Sequence, residues 1–198
     1  MFSLAAVPNK LVFLIGIILL IPGLLLLTMT FFPVIKAETI YQIQKTKPPV
    51  SAVTPANPDF NIYIPKINAN APVVKNVNPN ISEIYQSALS QGVAHALGSA
   101  LPNQPGNTFI FAHSAGNWYQ ANRYNAVFYL LNKLVVGDEI ILTYLGNPRR
   151  YLVSKSQIVS ASDLSYMAPS KTDLLTLMTC WPPGTTLKRL IVVAKPVN

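Results

Sequence analysis

Residues 11 to 32 (LVFLIGIILLIPGLLLLTMTFF) carry no charge, and the stretch is about as long as the ~20 residues a helix needs to cross a bilayer. It exceeds the ~7–15-residue apolar core of a signal peptide, and no clear small-x-small cleavage site follows it. The pattern predicts one uncleaved transmembrane helix over 11–33, preceded by a short segment over 1–10. Pro22 and Gly23 are tolerable inside such a helix. From Glu38 to Pro58 the chain turns polar, with Pro48, Pro49, Pro55 and Pro58 and little periodicity. This predicts an extended, Pro-rich tether, with domain limits of 34–58.

Beyond Asp59 the period changes to short runs with turns between them. Asn61-Ile62-Tyr63-Ile64, Ala71-Pro72-Val73-Val74, Thr108 to His113, Glu139 to Leu145 and Arg150 to Val159 all read as strands. Ile81 to Leu89 and Ala126 to Leu134 suit short helices, and Ser160 to Thr172 reads as a loop. The chain closes with an apolar run to Cys180, a Pro182-Pro183-Gly184 turn and a second apolar run from Arg189, which together predict a β-hairpin. Six to eight short strands with little helix make 59–198 an all-β barrel or sandwich.

Composition narrows the function. Lys and Arg outnumber acids 15 to 7, giving a formal charge of +8. The basic residues are scattered, without a block or an aromatic-basic ladder, which points away from nucleic acid and toward anionic lipid or wall polymer. The single cysteine excludes an internal disulfide and any multi-cysteine metal site. The acids Glu83, Asp138, Glu139, Asp163 and Asp173 are dispersed, so no calcium or other metal site and no cofactor is expected. The charges flanking 11–32, Lys10 before and Lys36, Lys45 and Lys47 after, do not decide membrane orientation.

The predicted hairpin sets Cys180 beside Arg189, and a fixed positive charge next to a thiol favours thiolate. His113 ends a predicted strand before the loop Ser114-Ala115-Gly116-Asn117, a placement that suits chemistry. His95 has no comparable neighbour and reads as structural or pocket-lining. A nucleophile near the C-terminus with its histidine upstream reverses the order of a papain-like protease.

The run Thr176-Leu177-Met178-Thr179-Cys180, continuing through Trp181-Pro182-Pro183-Gly184 to Lys188-Arg189, resembles the active-site hairpin of the sortases, membrane-anchored cysteine transpeptidases of the cell surface. Gly92-Val93-Ala94-His95, Pro105-Gly106-Asn107-Thr108 leading to Ala112-His113, and Val136-Gly137-Asp138-Glu139-Ile140 resemble further stretches of that family. The resemblance implies a closed eight-stranded β-barrel after one transmembrane helix. It implies Cys180 as nucleophile toward a C-terminal LPxTG-like sorting signal, His113 as general acid and base, and Arg189 as oxyanion stabiliser. Thr179, Trp181, Ala94 and Leu97 would line or support the peptide site. Pro182 and Pro183 have no N–H, so the Trp181 amide is the expected second oxyanion donor. Implied partners are surface proteins bearing the signal and an amine acceptor, either a peptidoglycan precursor or a pilin lysine. The N-terminus would then lie inside the cell membrane and the barrel outside.

The sequence departs from the family pattern in three places. Ala96-Leu97-Gly98 stands where many members carry Tyr-Pro-Gly, and Ser114 stands where Arg is common. Pro58-Asp59-Phe60 resembles, in altered order, the lid of pilus-type members, and reads here as linker meeting strand. The altered groove motivates a second reading, a catalytically silent anchored β-domain that binds a surface protein or wall polymer.

Overall fold

A computed structural model describes residues 9–44, 54–114 and 127–197. Eight strands close into one barrel: β1 (Phe60–Ile64), β2 (Ala69–Val77), β3 (Val93–Ala96), β4 (Asn107–Phe111), β5 (Glu139–Tyr144), β6 (Asn147–Ser160), β7 (Leu174–Trp181) and β8 (Lys188–Pro196). Their order around the wall is β1-β2-β3-β4-β7-β8-β6-β5. Closure leaves no unpaired edge. Neighbours are antiparallel except β2 with β3 and β4 with β7. Each parallel pair needs a long crossover. Helix α2 (Ser82–Gln91) supplies the first, and the β5–β6 hairpin is part of the second.

The barrel is filled by the inward-facing positions of these strands. Phe60, Ile62, Ile64, Phe109, Ile140, Leu142, Tyr151, Leu175 and Leu177 are all buried. Removing one such ring, as in Phe109→Ala, costs about 3–5 kcal/mol in a close-packed interior. The strand pattern left barrel or sandwich open, and the closed eight-stranded barrel that the family resemblance implies is the one present.

Two local expectations need correction. The stretch from Ala126 to Leu134 is not an α-helix where described: residues 127–130 form a turn, and only Leu131–Lys133 are helical, as one 3₁₀ turn. Phe128, Leu131 and Leu134 are buried at a spacing of three, and three residues per turn is the 3₁₀ period. The tether is also less extended than its composition suggests. Helix α1 runs from Asn9 to Gln44, so Glu38–Gln44 is helical. Tyr41 is buried, with the Lys133 ammonium 5.5 Å from its ring centre, and Lys133 pairs with Glu38 at 3.3 Å.

At the other end of the tether, the Asn70 amide donates to the Thr54 carbonyl at 3.1 Å. The buried Asn61 amide donates to Asn70 at 2.9 Å. Residues 45–53 lie outside the described residues. Asp59 and Pro58 accept the Leu145 and Gly146 amides at 2.8 and 3.0 Å, so Pro58-Asp59-Phe60 is linker meeting strand.

The expected transmembrane helix falls within α1, whose side chains are described only in part. Phe13, Leu19, Leu20 and Leu27 are exposed. Among the described residues no helix is long and apolar enough to cross a membrane.

Candidate active site

Strand β7 lies between β4 and β8, so a residue at its end has one neighbour from each. On the β8 side the register pairs Cys180 with Arg189 and Trp181 with Lys188. On the β4 side it pairs Ile110 with Leu177 and Phe111 with Met178. Carrying that register two residues further sets His113 across from Cys180. The extension has two bonds behind it. The Ala112 amide donates to the Met178 carbonyl at 3.2 Å, and the Thr179 hydroxyl donates to the Ala112 carbonyl at 2.9 Å. One sheet end thus collects a thiol, an imidazole and a guanidinium at three laterally adjacent positions.

Alternation decides which of these side chains are reachable. Leu175, Leu177 and Thr179 are buried, whereas Cys180 is half-buried and free. His113 and Arg189 are half-buried as well. The His113 ring donates through Nε2 to the Gln86 side-chain oxygen, 3.1 Å away. Burial lowers its pKa, which favours the neutral imidazole. Arg189 donates through Nη1 to the Thr186 and Lys188 carbonyls, both at 3.0 Å. A guanidinium has five N–H donors, so Nε and Nη2 keep donors for another acceptor.

The remaining expected residues divide. Trp181 is half-buried and Leu97 exposed, both able to meet a ligand. Ala94 and Thr179 are buried, so they act on the shape of the site rather than as a contact surface. Thr179 holds the residue just before His113. His95 is fully enclosed. Its Nδ1 accepts the Asn76 amide at 3.3 Å, while Nε2 lies 3.0 Å from the Ala100 carbonyl and 2.8 Å from the Ser99 hydroxyl. With Nδ1 accepting, the proton sits on Nε2 and the ring is neutral. Burial is the main cause of its lowered pKa.

Two contacts at the site are not foreseen by the sequence. Ser114, buried behind His113, accepts the Gly184 amide at 3.4 Å and so ties the β4 end to the β7–β8 turn. Gln86 reaches His113 from α2, 27 residues earlier in the chain. Neither contact leaves a local pattern. Among the described residues no group of three or more His, Cys, Asp or Glu side chains could hold a metal ion.

Comparison with known proteins agrees with this fold. The Sortase domain family model matches residues 62–197. Sortase C-1 from Actinomyces oris superposes with a TM-score of 0.61 at 26% identity, over 72% of this chain and 76% of that one. Sortase A from Corynebacterium diphtheriae gives 0.59 at 28% identity, over 72% and 61%. A Clostridium perfringens sortase D5 transpeptidase gives 0.58 at 23% identity, over 81% and 89%, a likeness of fold alone. No match is found among curated proteins. The structural neighbours span several classes at similar scores, so no subclass is assigned. With its barrel order and a family match over nearly the whole β-domain, the chain belongs to the sortases, a family of cysteine transpeptidases.

Proposed function

We propose that this sortase cleaves a C-terminal LPxTG-like sorting signal and transfers the protein to an amine on the cell surface, with Cys180, His113 and Arg189 as its catalytic residues. The observation that carries the reading is the lateral register that sets Cys180 between Arg189 and the extension of β4 bearing His113.

Cys180 gives its thiol proton to His113 as the sulfur attacks the scissile carbonyl carbon, and the carbonyl oxygen takes up negative charge. Arg189 donors and the Trp181 amide stabilise that oxyanion. The C–N bond breaks as His113 gives a proton to the leaving amine, and a thioester to Cys180 remains. An incoming amine, from a peptidoglycan precursor or a pilin lysine, then attacks the thioester. It gives its proton to His113, and the thiolate leaves. Wall anchoring and pilus assembly share these steps and differ in the amine.

Residues 11–32, uncharged and within the 36-residue helix α1, anchor the enzyme in the membrane on this reading. An uncharged stretch of this length matches the ~20 residues that a membrane-spanning helix needs. The N-terminus lies inside and the barrel outside, where the substrate is. Protease added to intact cells should therefore remove the barrel, and a fully protected barrel contradicts the topology.

Peptide-library transfer assays test the chemistry. Cys180→Ala should abolish transfer, and Arg189→Ala should lower kcat/KM by about 10²–10³-fold, the range for a lost oxyanion donor. A wild-type protein that processes no sorting peptide, and whose Cys180 forms no adduct, would instead fit a silent binding domain.

A further inference from the structure

Gln86 is an exposed glutamine on an amphipathic helix, a residue type that seldom needs explanation, yet its oxygen lies 3.1 Å from Nε2 of His113. The helix that carries it is firmly seated. Ala88 and Leu89 are buried, and Tyr85 packs on the core. Gly92 ends the helix so close to β2 that a Cβ there would stand 2.2 Å from the Pro72 carbonyl oxygen. Strand β3, which follows α2, pairs with β4 on the edge away from β7. Gln86 therefore approaches the imidazole from the α2–β3 side, opposite to Cys180.

The side-chain oxygen of an amide only accepts hydrogen bonds, so the contact requires a proton on Nε2. In the neutral ring Nδ1 is then unprotonated. We infer that Gln86 is a positioning residue: by accepting the Nε2–H of His113 it fixes the imidazole tautomer and turns Nδ1 toward Cys180 as the atom that gives and takes the proton. This rests on the catalytic reading of His113 and adds which of its nitrogens works. The bond also persists, and strengthens, in the imidazolium, because a charged donor makes a stronger hydrogen bond. Gln86 thus opposes the effect of burial on the ring. The other titratable groups described on the neighbouring elements are His95 on β3, Cys180 on β7, Lys188, Arg189 and Lys195 on β8, and Glu83 and Tyr85 on α2.

The full chain in detergent micelles provides the test, because it contains two histidines and His113→Ala assigns their ¹⁵N imidazole signals. In the wild type His113 should show the Nε2–H tautomer. Gln86→Leu should mix the two tautomers, lower the midpoint of the His113 titration and reduce kcat about fivefold with KM unchanged, the size of one exposed hydrogen bond. Gln86→Glu keeps the acceptor and adds charge, so it should restore the single tautomer and raise the midpoint. Identical His113 tautomer and titration in all three proteins overturn the proposal. Retained transfer by His113→Ala would instead remove the catalytic reading, and with it the meaning of Gln86 for turnover, while the tautomer result stood.

Discussion

His95 sits on β3 and His113 just past the end of the neighbouring β4, both with pKa values lowered by burial but in contrasting surroundings. His95 is on β3, fully enclosed, with both ring nitrogens bound to backbone or to Ser99. His113 lies two residues beyond the end of β4, half-buried, with one described bond, to a glutamine side chain. The first ring closes a hydrogen-bond circuit between the β2 bulge at Asn76 and the turn at Ser99 and Ala100. Among the described residues the second shows no partner at Nδ1, the nitrogen that the proposed mechanism turns toward Cys180. On the proposed reading, what separates a structural ring from a catalytic one is whether both nitrogens are spent, since a lowered pKa is common to both.

Exchanging the two roles by mutation is the sharpest way to break this contrast. His113→Ala should leave the barrel folded and lower kcat/KM by about 10²–10⁴-fold, the usual contribution of a general acid–base group. His95→Leu should act on stability instead. It strands the Asn76 amide and the Ala100 carbonyl, at about 1–3 kcal/mol for each buried group left without a partner. Denaturant unfolding should show that loss, with kcat/KM changed far less than in His113→Ala. A His95→Leu protein of wild-type stability that fails to transfer would invert the assignment.

The pH dependence of stability sharpens the contrast further. A base whose folded pKa lies below its unfolded value of 6.5 binds fewer protons folded than unfolded. Its stabilising effect is complete above pH 6.5 and is lost as pH falls below that value. Unfolding free energy should thus decline on the acid side of 6.5, less steeply in His95→Leu. An equal decline in that variant would place the effect elsewhere. The smallest effect is expected from Ser114→Ala. It removes one 3.4 Å bond to Gly184, costs about 0.5–1.5 kcal/mol and loosens the β7–β8 turn, seen as faster amide exchange there.

Much of the fold can be read from local pattern, because its signals are local. Alternation marks β1 and β5, and Pro182-Pro183-Gly184 marks the turn that pairs Cys180 with Arg189. His113 beside Cys180 was legible only through resemblance, since β4 and β7 pair across 67 residues of sequence. The contacts of Gln86 and Ser114 left no signal: Ser114 stands out only as a departure from the family pattern, and each acts through one side chain whose partner is remote in the chain. The extent of α1 was hidden for a related reason. Glu38–Gln44 has a polar composition, and its end is seated by Tyr41 and Lys133, a contact that composition does not encode.

Intact-mass analysis of the full chain incubated with an LPxTG-like peptide asks most directly whether the three groups work together. The wild type should gain the mass of the acyl fragment, localised to Cys180 as a thioester that an added amine discharges. His113→Ala and Arg189→Ala should form it far more slowly, while His95→Leu, at a temperature where it stays folded, should form it at nearly the wild-type rate. A thioester that appears equally fast without His113, or none on Cys180 with any sorting peptide, would contradict the assignment.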